Sequence, residues 1–157
     1  MIKGSCLCGG IHFEIDEKFI YMINNCYCES CRKATASAFG TFVQLPGKHF
    51  RWLKGRELIS LYESSPGNER AFCSVCGSNM PQSRNWEKHA TVHAGTLDGD
   101  LGLKPALNMF VGESPGWYAI DESIPTFSEQ PTGLRRIILF ISIAFKHRLR
   151  LLQAKWS

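Results

Sequence analysis

Seven cysteines fall into three tight groups within the first half of the chain, and nothing else narrows its options as far. The groups are Cys6-Leu7-Cys8, Cys26-Tyr27-Cys28-Glu29-Ser30-Cys31 and Cys73-Ser74-Val75-Cys76, the last followed by Gly77. Three facts argue against a disulfide framework: the count is odd, no cysteine follows position 76, and Met1-Ile2-Lys3-Gly4-Ser5-Cys6 lacks the apolar core of a secretory signal. Inert buried cysteines would have no reason to cluster. Metal chelation explains the spacing. Two cysteines three apart bend around one ion, and a glycine after the second lets backbone N–H groups turn toward the sulfurs, as Cys73 to Gly77 allows. Two cysteines two apart on a strand point to one face. Cys6 with Cys8, and Cys26 with Cys28, are therefore expected to offer paired sulfurs from strands.

Zinc suits such thiolate sets, and seven ligands divide into four plus three. A structural zinc takes four protein ligands, whereas a catalytic zinc takes three and keeps one position open. Cys26, Cys28 and Cys31 form a compact three-sulfur set, and the two outer groups would make the closed site. A histidine completing the second site is the alternative. None of His12, His49, His89, His93 and His147 sits at ligand spacing from a cysteine group, so each reads as a surface or core histidine. Closing the loop between the outer groups costs on the order of 4 kcal/mol of chain entropy. A structural zinc contributes about 10–16 kcal/mol, so metal binding wins.

The rest of the chain sets the frame. Its 157 residues, 44% hydrophobic and 20% charged, suit one soluble globular domain. The net charge of +4 is unevenly placed. Residues 134–157 hold Arg135, Arg136, Lys146, Arg148, Arg150 and Lys155 with no acid, leaving residues 1–133 with twelve bases, all fourteen acids and a net of −2. A mildly acidic body excludes a nucleic-acid-binding surface as the main function. No apolar run reaches the roughly 20 residues of a membrane span, and a cytoplasmic protein is expected.

Strand patterns recur at short intervals. Residues 11–15 alternate, and 20–23, 39–45, 50–53, 58–63, 70–72, 91–94 and 109–111 are short runs rich in apolar, aromatic or β-branched residues. Pro46-Gly47-Lys48 and Ser65-Pro66-Gly67-Asn68 mark turns, and residues 32–36 permit a short helical turn. The pattern predicts a mainly β, sandwich-like domain over 1–133. A basic, apolar extension follows over 134–157. There Leu134, Ile138, Ile141, Phe145, Leu149 and Leu152 recur at helical spacing, so residues 134–152 are expected to form a helix. Its stripe is expected to pack on its own domain or on a second subunit of a homodimer, in preference to an anionic membrane surface.

At this point the motifs become recognisable. Gly4-Ser5-Cys6-Leu7-Cys8-Gly9-Gly10, the run from Cys26 to Lys33, Tyr62 to Gly67, Arg70 to Ser78, Gly95-Thr96-Leu97-Asp98, Trp117 and Ile124 to Phe127 are together similar to the glutathione-dependent formaldehyde-activating family of zinc proteins. The resemblance implies that family's β-sandwich. It implies a structural zinc on Cys6, Cys8, Cys73 and Cys76, and a catalytic zinc on Cys26, Cys28 and Cys31. Two departures stand out: Asn79-Met80-Pro81 follows Ser78, and Asn108 stands where a histidine is common.

The chemistry implied joins glutathione to formaldehyde, giving S-hydroxymethylglutathione; in reverse it is a carbon–sulfur lyase. Arg32, Lys33 and Arg70 are the candidates to meet the carboxylates of a glutathione-like substrate, although each reads equally well as a solvated charge. Ser64, Ser65 and Asn68 are explained by a turn, and Phe39 and Phe72 by a core. Two rivals stand beside the lyase: a zinc-stabilised binding module with two structural sites, and an enzyme of the same fold acting on another small thiol. The lack of an evident fourth ligand beside Cys26, Cys28 and Cys31 favours an enzyme.

Overall fold

The structure, a computed structural model, describes residues 1–133. The expected helix over 134–152, and the extension as a whole, lie outside the described residues. Ten strands and one α-helix follow in order: β1 (Ile2–Ser5), β2 (His12–Ile15), β3 (Met22–Cys26), α1 (Glu29–Thr35), β4 (Gly40–Leu45), β5 (Phe50–Lys54), β6 (Ile59–Ser65), β7 (Asn68–Cys73), β8 (Ala90–His93), β9 (Leu107–Met109) and β10 (Thr126–Phe127). No helix among the described residues is long and apolar enough to cross a membrane.

The strands form three sheets: an antiparallel β1-β2-β5, a five-stranded β10-β9-β3-β4-β8 in which β9 runs parallel to β3 and to β10, and the β6-β7 hairpin. Strand alternation places the main core between the first two sheets. Phe13 and Ile15 of β2 pack there with Ile23, Val43, Leu45, Ala90 and Val92 of the larger sheet, all buried. The other face of that sheet carries Asn24, Cys26, Phe42, Gln44, Thr91 and His93, because their neighbours in sequence point into the core. Cys26 and Phe42 pack on that face with Cys31, which comes from α1.

The hairpin is two-sided. Ala71 and Cys73 pack with Cys6, Ile11 and Met80 in a second core. Arg70, between Asn68 and Phe72 in the alternation, points to the opposite side and reaches Cys31.

Candidate metal centres and active site

Turns, rather than strand pleats, bring the sulfurs together. Cys6 follows the end of β1 and Cys8 lies in a turn, so that pair does not sit on a strand as its spacing suggested. Cys26 ends β3, Cys28 caps α1 and Cys31 is inside the helix, which begins at Glu29, earlier than the helical turn expected from 32. The reason is local. Gly9 and Gly77 each follow a cysteine pair and take positive φ, 69° and 72°, a region where a side chain is strained. Their amides donate to the carbonyls of Cys6 and Cys73, both at 2.9 Å, closing two similar knuckles.

Cys6, Cys8, Cys73 and Cys76 form one group and Cys26, Cys28 and Cys31 another, with all sulfurs of a group within 4.8 Å of one another. The Sγ–Sγ distances are 3.4 Å for Cys6–Cys8, 3.9 Å for Cys8–Cys73 and 3.5 Å for Cys26–Cys28. Tetrahedral zinc with bonds near 2.3 Å requires sulfurs about 3.8 Å apart, so both donor sets fit that ion. Among the described residues, no histidine, aspartate, glutamate or further cysteine joins either group.

Each cluster polarises its own thiols. In the first, the Ser78 hydroxyl and amide hold the Cys76 thiol down to about 5. Against the Gly10 amide, which lowers it, the Cys6 and Cys76 sulfurs push Cys8 up to about 11. In the second, hydrogen bonding to Cys26, then Cys28 and the Arg70 guanidinium, overcomes burial and holds Cys31 at about 6. The same contact with Cys31, with burial, pushes Cys26 up. Packed sulfurs favour one thiolate and resist the next, the repulsion that a bound cation relieves.

Supporting contacts are specific. Ser78 Oγ lies 3.3 Å from Cys76 Sγ and accepts the Leu7 N–H at 3.0 Å, tying the two knuckles together. Asn79 Nδ2 donates to the Ala34 carbonyl at 3.0 Å, linking the second knuckle to α1. Glu113 caps α1 by accepting the Glu29 N–H at 2.8 Å. Asn108 is fully buried and committed at both amide atoms, accepting from Asn25 and donating to the Asp121 carbonyl.

The three basic candidates separate. Arg70 Nη2 lies 3.9 Å from Cys31 Sγ, at the three-sulfur cluster. Arg32 turns back to the Tyr27 carbonyl at 3.2 Å, bracing the loop between Cys26 and Cys28. Lys33 pairs with Glu29 on the exposed face of α1 at 2.8 Å. Phe39 packs against Tyr27 in a tilted contact and meets Tyr118 edge-on. His93, whose spacing reads as that of a surface or core histidine, is buried and stands directly opposite Phe42 on the cluster's face, ring centroids 4.9 Å apart. Only the pairing of β4 with β8, some fifty residues apart, reveals that position.

The family model described as glutathione-dependent formaldehyde-activating enzyme matches residues 1–113. A Halomonas elongata protein provisionally named a glutathione-dependent formaldehyde-activating enzyme is 32% identical over 130 residues, covering 77% of this chain and 82% of its own. A Schizosaccharomyces pombe protein named an uncharacterized lyase is 34% identical over 82 residues, half of this chain and 54% of its own. A Rhodobacter sphaeroides protein known from its crystal structure matches with a TM-score of 0.52 at 23% identity, over 62% of this chain and 89% of that one, which speaks to fold alone.

Proposed function

Because the chain belongs to the glutathione-dependent formaldehyde-activating enzyme family, we propose that it is a zinc-dependent carbon–sulfur lyase, joining glutathione or a related small thiol to formaldehyde and reversing that reaction. One observation carries the reading: the Cys26, Cys28 and Cys31 sulfurs converge without a fourth candidate ligand among the described residues, while the other cluster has four. Cys6, Cys8, Cys73 and Cys76 would hold a structural zinc; Cys26, Cys28 and Cys31 would hold the working one. When bound there, that zinc supplies positive charge that favours the thiolate form of an incoming thiol near neutral pH.

The chain's own residues supply the rest. A free thiol, with pKa about 8.5, is mostly protonated at neutral pH. Arg70 brings a permanent positive charge to the sulfurs and so favours a second thiolate arriving there. Tyr27, buried and packed against Phe39, anchors the loop between Cys26 and Cys28, and Arg32 braces it by donating to the Tyr27 carbonyl. In the forward reaction the sulfur lone pair bonds to the aldehyde carbon. The carbonyl π pair moves to oxygen, which takes a proton and becomes the hydroxyl of the S-hydroxymethyl product. The reverse breaks the same carbon–sulfur bond.

The test is exchange spectroscopy with carbon-13 formaldehyde and glutathione, which reports interconversion above the spontaneous rate. Acceleration by zinc-loaded protein, abolished in Cys28→Ser, is the expected result. No acceleration from protein carrying both zincs would leave the binding module as the better description.

A further inference from the structure

Besides Cys26, His93 is the titratable side chain that β3, β4 and β8 place on the cluster's face of the larger sheet. His93 ends β8, and its side chain lies on the face that also holds Phe42, Cys26 and Cys31. It is only 6% exposed. Its ring packs against Phe42 in a tilted contact, the two planes 59° apart. No hydrogen bond is made by its imidazole among the described residues; its backbone pairs with β4 opposite Phe42, and its carbonyl accepts from the Thr96 hydroxyl. With no protein partner taken, its ring N–H stays available to an incoming group.

Arg70 connects this ring to the cluster. Its guanidinium reaches Cys31 and is also close enough to His93 to press on its charge. Burial first, and Arg70 second, hold His93 down to about 4, so the ring is neutral at working pH and carries one N–H. A neutral imidazole beside a fixed cation is suited to hydrogen-bonding an oxygen that gains negative charge.

We infer that His93 is a catalytic residue, whose ring N–H holds the substrate's aldehyde oxygen while the thiol sulfur bonds to the carbon. The inference rests on the lyase reading above and adds the group that meets the oxygen. As the C–S bond forms, the C=O π pair goes onto oxygen within reach of the His93 N–H. The proton that the thiol released to solvent is matched by one the oxygen takes up from solvent, so no oxidant or further reactant is needed. In reverse, the hydroxyl gives up that proton, and the same N–H steadies the alkoxide as the C–S bond breaks.

The experiment compares wild type, His93→Phe and His93→Asn, each zinc-loaded, in the formaldehyde–glutathione exchange assay. His93→Phe keeps an aromatic ring against Phe42 and removes the N–H. Its kcat should fall about 100-fold with KM for the thiol nearly unchanged, and His93→Asn, which restores an N–H, should recover about tenfold. In parallel, nitrogen-15 histidine spectra of the wild type should show the His93 ring signals moving when formaldehyde is added to the thiol-loaded protein. That measurement stands even if His93→Phe does not fold. A folded His93→Phe with undiminished kcat, a loss confined to KM or zinc content, or ring signals indifferent to formaldehyde would each overturn the assignment. A wild type without turnover would sink the lyase reading itself, which separates that failure from a failure of His93 alone.

Discussion

His93 leaves a second signature, on stability rather than rate. Its folded pKa of about 4 lies below the ordinary value of 6.5. Above pH 6.5 both folded and unfolded chains hold it neutral. As pH falls from 6.5 toward 4 the unfolded chain takes a proton that the folded chain refuses, so stability declines through that window and levels off below it. The total is about 3 kcal/mol at 1.36 kcal/mol per unit. Urea midpoints at pH 6.5, 5.5 and 4.5 should therefore fall more steeply for wild type than for His93→Phe; parallel slopes would show that the ring is not buried neutral. The grouping of the seven sulfurs into four and three was legible in the sequence, because the spacing within each cysteine cluster is local. The roles of Arg70, Arg32 and Lys33 were not. All three are bases near cysteines, and only strand parity and helix phase send one to a sulfur, one to a carbonyl and one to a surface ion pair.

At the scale of elements, the two clusters should fail differently. Cys73 ends β7, and its cluster joins the start of the chain to the hairpin, whereas Cys28 serves a cluster held within β3 and α1. Cys73→Ser should lower the melting temperature by ten degrees or more, as expected when a folding-coupled metal is lost. Cys28→Ser should melt near wild type and lose thiol binding by calorimetry. Equal losses of structure would mean that neither cluster is specialised. Most strands could be read from apolar runs, with boundaries shifted by one to three residues; the run at 20–23 is β3 at Met22–Cys26, and that at 109–111 is β9 at Leu107–Met109. β1 and β10 escaped notice. Ile2–Ser5 has only one large apolar residue and owes its extended form to pairing with β2, and the two residues of β10 exist as a strand only beside β9. The placement of Cys6 and Cys8 in a turn was also hidden, since a period of two fits a strand equally well.

For the molecule as a whole, elemental analysis of zinc-replete protein should give two zincs per chain, and re-addition should restore two after mild chelation. One zinc in a well-folded sample would remove the working site from the account. Deleting residues 134–157 should leave that count intact, because all seven cysteines precede the cut. The deletion changes the net charge from +4 to −2, so retention on a cation exchanger at neutral pH should be lost while zinc stays. A truncated chain that cannot hold two zincs would show that the extension supports the domain. The hairpin has a consequence for how such a protein meets scarcity. Cys73 belongs to one cluster and Arg70, three residues earlier on the same strand, attends the other. If the two clusters hold the two ions proposed above, a molecule that fails to acquire its first ion would also misplace the charge beside the three-sulfur cluster. Under metal scarcity the population would then divide into competent and incompetent molecules, with few sluggish ones between, and total activity would become a census of completed chains.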